Sequence, residues 1–361
     1  MNKSVYVHIP FCRTICTYCD FCKLNYNPDF VLTYLIALEK EIKENFNHEE
    51  INTLYIGGGT PSTLTIPELK KLFNIMQVFK LSDNYEYTFE CNISDIRVEL
   101  LELLKENKVN RISIGVESFN KKNLKFLGRE ANFKETKDKI NLCKKMGFDN
   151  INVDLMYAIN NESIYTLKSD IRKMLKLKVP HISTYSLMIE KNTLLKLKNV
   201  SYISDKKDYK MYKIIRKLLE RNNFIHYEIS NFSKKGYESR HNLVYWNNLE
   251  YYGFGLGASG YYEGVRYENT RSLTNYNALN FLKGKEIVSK KDEMDYELML
   301  GLRKINGIDL DNFFNKYKVS IMDVYNIKDQ LDNNNLIVEN DHLKVHPKKL
   351  YIMNEILIKL I

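Results

Sequence analysis

The sequence lacks a long apolar run. None of its 361 residues lies in an uninterrupted stretch of the ~18 apolar residues that a membrane-spanning helix needs, so we do not expect an integral membrane protein. The first residues, MNKSVYVHIPFC, also lack the apolar core of a secretory signal peptide, which predicts a cytoplasmic protein. Cysteines are few, six in all, and cytoplasmic thiols stay reduced, so metal or redox chemistry is favoured over structural disulfides.

A concentrated block of positive charge is missing too. The formal net charge is +9, but lysine and arginine are spread along the chain. This distribution indicates a solvated basic surface, and we expect no nucleic-acid partner. The length excludes a small disulfide-stapled fold and predicts one large α/β domain with a smaller one beside it.

The first 190 residues alternate short β-like runs with amphipathic helical stretches. Six candidate strands are present: SVYVHI (4–9), TLYIGGG (53–59), YEYTFECN (85–92), RISIGVES (111–118), NINVDLMYA (150–158) and HISTYSLMI (181–189). The helical patterns between them include residues 31–46, 66–79, 97–108 and 133–147. Strict alternation predicts βαβ units and a parallel sheet, in the form of a partial (β/α)6 barrel resembling a TIM barrel.

The pattern changes after residue 200. A helix is predicted over residues 206–222, and a segment rich in glycine and aromatic residues follows at 241–264. The tail has helical patterns at 292–304, 310–317 and 321–333, then a hairpin that turns at Glu339-Asn340-Asp341, which predicts a winged-helix-like α+β module. Plain helical packing is the alternative for this tail. We expect a core domain at 1–230, a connecting segment at 231–289 and the C-terminal module at 290–361.

Four of the six cysteines lie between residues 12 and 22. Cys12, Cys16 and Cys19 have the spacing CxxxCxxC, and Cys22 follows. Structural zinc sites usually take four ligands in two separated pairs, whereas Cys91 and Cys143 each stand alone, in a predicted strand and a predicted helix. Closely spaced thiolates at the end of a strand favour an iron–sulfur cluster, although a zinc-binding interaction protein is a further alternative.

The motif CRTICTYC resembles the signature of the radical S-adenosylmethionine (SAM) enzymes. In that family three cysteines hold a [4Fe–4S] cluster, and the remaining iron binds the amino and carboxylate groups of SAM. Here the resemblance implies that Cys12, Cys16 and Cys19 bind the cluster. GGGTP at 57–61 follows a predicted strand, and its glycines would let the backbone approach the methionine part of SAM. A simple βα turn is the alternative explanation for these glycines.

The wider resemblance is to the HemN/HemW family of coproporphyrinogen dehydrogenase-like proteins. It rests on YVHIPFCRTICTYCDF (6–21), YIGGGTPS (55–62), FECN (89–92), RISIGVESFN (111–120), NVDLMY (152–157), YEISNFSKKGYESRHNLVYW (227–246), YYGFGLGASG (251–260) and YELMLGLRKINGI (296–308). The resemblance implies a SAM site lined by Tyr6, Tyr18, Gly58, Gly59, Thr60, Glu90, Arg129 and Asp154.

The same resemblance suggests roles for individual side chains in the SAM site. Tyr18 would lie near the adenine, and Glu90 would bind the methionine ammonium. Arg129 would bind the carboxylate, and Asp154 the ribose hydroxyls. Glu117 stands where relatives often carry glutamine, so it lacks the amide donor but is kept as a SAM-site residue.

Two functions are known in this family, and a few positions separate them. The dehydrogenases, which decarboxylate coproporphyrinogen III, place a fourth cysteine two residues after the third. Phe21 occupies that position here, and we expect Cys22 to be an exposed thiol. The haem chaperones carry HNxxYW, present here as HNLVYW with His241 and Trp246. The resemblance therefore implies a haem chaperone that passes haem to an acceptor protein, with His241 as the haem ligand and coproporphyrinogen oxidase as the alternative.

Overall fold

A computed structural model describes residues 3–361. Its strands are β1 (Lys3–Ile9), β2 (Phe11–Cys12), β3 (Leu24–Asn25), β4 (Ile51–Gly58), β5 (Leu81–Asn92), β6 (Arg111–Glu117), β7 (Asn150–Tyr157), β8 (His181–Ser186), β9 (Ile225–Glu228), β10 (Asn231–Ser233), β11 (Tyr252–Phe254), β12 (Ser259–Tyr262), β13 (Val265–Asn269), β14 (Leu282–Ile287), β15 (Ile308–Asp309), β16 (Leu336–Glu339) and β17 (His342–Val345). Its α-helices are α1 (Pro28–Asn45), α2 (Ile66–Met76), α3 (Val98–Glu106), α4 (Lys121–Leu127), α5 (Phe133–Lys145), α6 (Ile164–Lys176), α7 (Leu194–Leu197), α8 (Asp205–Glu220), α9 (Arg240–Trp246), α10 (Leu273–Asn277), α11 (Lys290–Gly301), α12 (Leu310–Tyr317), α13 (Ile321–Val324), α14 (Ile327–Asp332) and α15 (Met353–Ile358).

A nine-stranded sheet organises the molecule. Its order is β11-β1-β4-β5-β6-β7-β8-β10-β9. The strands from β11 to β8 are parallel, and β10 and β9 close the far edge in antiparallel pairing. Each of the six predicted strands is present, as β1 and β4 to β8. The partial (β/α)6 barrel is thus confirmed.

Local sequence signals set where the helices around the sheet begin. Asn27 caps α1 by accepting a hydrogen bond from the backbone of Asp29, and Pro28 occupies the first turn. A capping box between Thr65 and Glu68 starts α2. These helices bury their apolar faces against the sheet, where strand residues such as Val7 are fully buried.

The segment 231–289, predicted as a connection, takes part in the sheet. It supplies β11 at one edge and β10 next to the strand β9 at the other edge, and β12, β13 and β14 form a three-stranded antiparallel sheet of their own. The pairing of β11 with β1 joins strands separated by about 240 residues in the sequence. The proposed boundaries at 230 and 289 stay predictions.

The C-terminal module contains helices α11 to α15 and a small sheet of order β15-β17-β16. The predicted hairpin is present as β16 and β17, and its turn residues Asn340 and Asp341 both have positive φ, of 52° and 57°. Such a pair is typical of a type I′ turn. The prediction of a continuous helix over 321–333 was wrong. Tyr325 has an extended backbone, and its hydroxyl donates a hydrogen bond to Asp295 of α11 at 2.6 Å. The helix therefore divides into α13 and α14.

Across residues 3–361, none of the helices is both long enough and apolar enough to cross a bilayer.

Candidate active site

A cavity of about 720 Å³ opens where the parallel strands end. The carboxyl edge of a parallel sheet is the usual place for a site in α/β proteins, because the following loops meet there. Of the predicted site residues, the cavity is lined by Cys12, Cys16, Tyr18, Cys19, Gly58, Gly59, Thr60, Glu90, Glu117, Arg129 and Asp154. Tyr6 and His241 are not among the residues that line it.

The three cysteines of CxxxCxxC form one wall of the cavity. All are free thiols, with Cys12 buried and Cys16 and Cys19 partly exposed. The Oγ1 of Thr60 lies 3.6 Å from the Sγ of Cys12, and Nη1 of Arg129 lies 3.8 Å from the Sγ of Cys16. Burial raises the pKa of Cys12 to about 11 and also raises the pKa of Cys19. Without a metal the thiols of Cys12 and Cys19 are therefore protonated at neutral pH.

This donor set fits a [4Fe–4S] cluster better than a single metal ion. In the part of the chain that the structure describes, no three His, Cys, Asp or Glu side chains are grouped to hold one ion. A cubane cluster takes each thiolate on a different iron atom, so its ligands stand farther apart than those of one ion. Cys12, Cys16 and Cys19 would hold such a cluster as thiolates, stabilised by the charge of the iron and by Arg129.

Cys22 is buried, with 8% of its surface exposed, so the prediction of an exposed thiol was wrong. Gly257 explains the close packing, since a Cβ there would lie 2.6 Å from the Cβ of Cys22. The backbone oxygen of Cys22 also contacts Nε2 of His8 at 2.7 Å. This thiol is part of the interior packing beneath the segment from Cys12 to Cys19, which we call the cysteine loop. Phe21 beside it is 66% exposed and lines the cavity.

The three glycines of GGGTP are required by packing within the protein. A Cβ on Gly57 would lie 2.6 Å from the carboxyl carbon of Glu90, and one on Gly58 would lie 2.4 Å from the ring of His8. A Cβ on Gly59 would lie 2.7 Å from the backbone of Pro10. Gly58 also has φ of +109°, which side chains rarely allow. The run of glycine thus brings β4 against the cysteine loop and leaves room for Glu90.

Glu90 is a buried acid held in a fixed position. Its carboxylate accepts hydrogen bonds from the Tyr55 hydroxyl at 2.6 Å and the Gly58 amide at 2.9 Å. Burial raises the pKa of Glu90, while these two donors and the nearby Arg111 oppose the rise. An acceptor in this position suits the ammonium group of an amino acid.

A second acid, Glu117, connects the cysteine loop to Arg129. It accepts a hydrogen bond from the Tyr18 hydroxyl at 2.9 Å and lies 4.0 Å from Nη2 of Arg129. Its backbone has φ of 68°, at an irregularity in the pairing of β6 with β7, and this turns its side chain into the cavity. Among residues 3–361, its Oε2 atom is buried without a hydrogen-bond partner. A ligand donor would satisfy that atom.

Arg129 presents a positive charge beside these acids. It donates to Oδ1 of Asn92 at 2.9 Å and to the carbonyl of Gly115. Burial lowers the pKa of Arg129, but Tyr18, Glu117 and Cys16 together raise it above its ordinary value. A permanent guanidinium next to a buried acid matches the opposite charges of an amino-acid zwitterion such as the methionine part of SAM.

Asp154, on β7, is a further polar side chain of the cavity. Together with Glu90, Glu117 and Arg129 it forms what we call the polar wall. It accepts a hydrogen bond from Nδ2 of Asn152 at 2.8 Å, and the same nitrogen contacts Ser113 at 2.9 Å. Burial, with the charge of Glu117 next in importance, raises the pKa of Asp154 to about 7. The carboxyl group therefore changes its charge near neutral pH.

Several residues of the polar wall were not predicted. Besides Tyr55, the cavity is lined by Asn92, Arg111, Ser113 and Asn152, which hold or neutralise the predicted side chains. A signal was present: on β5, β6 and β7 polar residues occur at alternate positions of otherwise apolar strands. Alternate positions share one face of a strand, so these polar residues face the barrel interior together.

Tyr6 and His241 lie behind Tyr55, in an aromatic cluster under the cavity wall. The ring centroids of Tyr6 and Tyr55 are 6.0 Å apart, and those of Tyr55 and His241 are 5.2 Å apart. His241 is 1% exposed, and burial, with the nearby Arg111 guanidinium, lowers its pKa to about 3. The His241 ring is therefore neutral. The next residue of α9, Asn242, does line the cavity, so this helix reaches the cavity although His241 does not.

The barrel and its cysteine loop define a class of protein. Together they are the arrangement of the radical SAM superfamily, whose family model, described as "Radical SAM superfamily", matches residues 6–174. The solved structure of coproporphyrinogen III oxidase (HemN) from Escherichia coli has a TM-score of 0.87 with 18% identity, covering 99% of this chain and 90% of that one. The likeness to that structure confirms the fold, including the C-terminal module.

Curated relatives define the family more closely. "Heme chaperone HemW" of Lactococcus lactis subsp. lactis (strain IL1403) is 39% identical over 352 residues, which cover 95% of this chain and 93% of that protein. "Heme chaperone HemW" of Bacillus subtilis (strain 168) is 37% identical over 333 residues, 88% of each chain. The chain belongs to the HemW family of radical SAM proteins.

Proposed function

We propose that this protein is a haem chaperone, which binds haem and transfers it to an acceptor haem protein. The observation that carries the proposal is the cavity itself, in which the cysteine loop and the polar wall meet α9, the helix of HNLVYW. Similarity to heme chaperones over 95% of the chain supports it. We also propose a cytoplasmic location, because six free cysteines suit a reducing compartment.

Cys12, Cys16 and Cys19 are proposed to hold a [4Fe–4S] cluster, and the polar wall to hold SAM. When bound, the cluster and SAM supply a one-electron route to a carbon radical. Glu90 would bind the ammonium of SAM, Arg129 its carboxylate, and Asp154 its ribose hydroxyls. Gly58, Gly59 and Thr60 would line the same site, with Tyr18 and Glu117 on the side of the cysteine loop.

His241 is proposed as the haem ligand. A neutral imidazole is the form that binds iron, and the low pKa of this side chain keeps it neutral across the physiological range. Both ring nitrogens bond protein hydroxyls, those of Thr53 and Tyr245, at 2.7 and 2.8 Å. Ligation of haem through Nε2 would therefore require the hydrogen bond to the Tyr245 hydroxyl to break. It would also require α9 to move so that the His241 ring approaches the cavity. Tyr6, which packs against the same ring, would follow that movement.

The test is an anaerobic haem titration of cluster-loaded protein, followed by absorbance, beside His241→Ala. We expect a saturable Soret shift near one haem per chain that weakens in the variant. A Cys12→Ala, Cys16→Ala, Cys19→Ala triple variant should lose the broad iron–sulfur absorbance near ~400 nm, while Cys22→Ala keeps it. Absence of saturable haem binding by the wild type would contradict the proposal.

The same preparation distinguishes an enzyme from a chaperone. The E. coli protein of the same fold is a coproporphyrinogen III oxidase, and this chain has Phe21 at the position expected for a fourth cysteine. Incubation with reductant, SAM and coproporphyrinogen III should leave the substrate unchanged. Protoporphyrinogen formed over many turnovers would replace the chaperone proposal with the oxidase.

A further inference from the structure

A second cavity, of about 460 Å³, lies between α8 and the chain that follows β17. We name it the basic groove. Four of its lining side chains are cationic, those of Lys213, Arg216, Lys217 and Lys348, and Glu220 is the one acid among the lining residues. The excess of positive charge favours an anionic occupant.

Most of this positive charge has no counterion in the protein. Glu220 lies 2.7 Å from Nε of Arg216, which also donates to the carbonyl of Pro347 at 2.7 Å. Within residues 3–361, no carboxylate is paired with Lys213, Lys217 or Lys348. The side chains of these three lysines are exposed, and Nζ of Lys213 also lies over the ring of Tyr209, so they are free to pair with an anionic group that enters the groove.

The basic groove adjoins the cavity of about 720 Å³ that holds the candidate active site, which we call the main cavity. Tyr212 and Tyr351 line both, and their ring centroids are 5.9 Å apart. Tyr212 is 93% buried, and among the described residues its hydroxyl has no hydrogen-bond partner. A ligand bound between the two cavities could supply the hydrogen bond that this buried hydroxyl lacks.

The main cavity beside this boundary has an apolar wall. Leu350, Met353 and Tyr157 line that end, away from the cysteine loop. Leu350 is 3% exposed, Met353 3% and Tyr157 6%. A flat apolar ring with carboxylates along one edge is complementary to such a wall followed by a row of cations.

We propose that the basic groove binds the propionate carboxylates of haem, while the porphyrin ring lies against the apolar end of the main cavity. The inference rests on the proposed function, since it names where the carboxylate edge of haem is held. Lys213, Arg216 and Lys217 face the carboxylates from α8, and Lys348 faces them from the chain that follows β17.

The experiment compares two double variants of α8 that change the net charge equally. Lys213→Glu with Lys217→Glu reverses charge in the groove. Lys206→Glu with Lys210→Glu changes two side chains of the preceding turns that do not line it. Each protein is titrated with haem and with haem dimethyl ester, whose propionates carry no charge. Circular dichroism checks that α8 is intact.

We expect the groove variant to bind haem about tenfold more weakly, a change of ~1.4 kcal/mol, and to bind the dimethyl ester as the wild type does. The control variant should match the wild type with both ligands. Unchanged haem affinity in the groove variant, with saturable binding by the wild type, overturns this inference and leaves the chaperone proposal intact. A wild type that binds neither ligand overturns the proposed function as well.

Discussion

Nδ1 of His241 lies 2.7 Å from Oγ1 of Thr53, which joins the helix of HNLVYW to the second parallel strand of the barrel. The other ring nitrogen contacts Tyr245 one turn further along α9. The imidazole is thus a structural link in the haem-free protein. Its proposed use as an iron ligand exchanges these hydrogen bonds for a bond to haem, so haem binding and the position of α9 are coupled.

Tyr245→Phe tests this coupling. The substitution keeps the ring and removes the hydroxyl that engages Nε2, so haem no longer has to break that hydrogen bond. Since such a bond contributes about 0.5–1.5 kcal/mol, we expect haem affinity to rise severalfold. Tyr251→Phe is the matched control, because Tyr251 packs on Tyr245 at 4.7 Å without a hydrogen bond to His241. Weaker haem binding by Tyr245→Phe would show that the hydroxyl assists binding, against our expectation.

Glu117→Gln tests the acids of the polar wall. The charge of Glu117 is the second cause, after burial, of the raised pKa of Asp154, which is about 7. The neutral amide should therefore lower the pKa of Asp154. An ionised Asp154 is the stronger acceptor for ribose hydroxyls, so SAM affinity should rise as the pH passes the pKa of Asp154.

The measurement is the SAM dissociation constant of cluster-loaded protein between about pH 5.5 and 8.5. In Glu117→Gln the midpoint of the pH dependence should move to lower pH. Asp154→Asn is the control, and its profile should be flat through this range. A midpoint that is identical in wild type and Glu117→Gln would mean that the two carboxyl groups do not interact.

Gly58→Ala tests the reason for the glycine run. A Cβ at this position meets the His8 ring, which Tyr6 and the carbonyl of Cys22 hold in place, and φ of +109° is strained for alanine. We expect the free energy of unfolding to fall by about 2 kcal/mol or more. In Gly284→Ala, a Cβ meets no atom within 4 Å, so stability should change by less than ~0.5 kcal/mol. Urea denaturation measures both, and equal midpoints would contradict the packing argument.

Much of the barrel follows from local sequence patterns. Alternation of strands and helices predicted β1 and β4 to β8, and Asn340-Asp341 predicted the hairpin turn of the C-terminal module, because short-range patterns encode both. The pairing of β11 with β1 was not predictable in this way, since it depends on contacts across the whole chain. The same limit explains Tyr325, whose partner Asp295 lies on another helix and ends the expected helix early.

The same distinction between local and long-range contacts applies to the site residues. The cysteine spacing and the family motifs predicted eleven of the residues that line the main cavity, because these residues lie on short contiguous segments. Burial of Cys22 against Gly257 and of His241 against Thr53 arises from packing between distant segments. A motif gives the identity of such residues but not their exposure, and the exposure decides whether a thiol or an imidazole is available to a ligand.

Glu41 provides a test of the link between α1 and the segment 253–276. Its carboxylate accepts hydrogen bonds from the Gly255 amide at 2.8 Å, from the Tyr276 hydroxyl and from Asn269. Burial raises the pKa of Glu41 from 4.5 to about 7, although these three donors oppose the rise. The folded chain thus holds the proton more tightly than the unfolded chain does.

The sign of the pH dependence follows from this difference. Glu41 contributes stability that is fully present below about pH 4.5, decreases as the pH rises, and is lost above about pH 7. Relative to Glu41→Gln, which does not titrate, the wild type should lose on the order of 3 kcal/mol of unfolding free energy between pH 4.5 and 8. Urea denaturation at several pH values measures the difference. Glu39→Gln, an exposed site on the same helix, should give a curve parallel to the wild type. A parallel curve for Glu41→Gln as well would mean that Glu41 is ionised in the folded protein throughout, and that its three donors outweigh its burial.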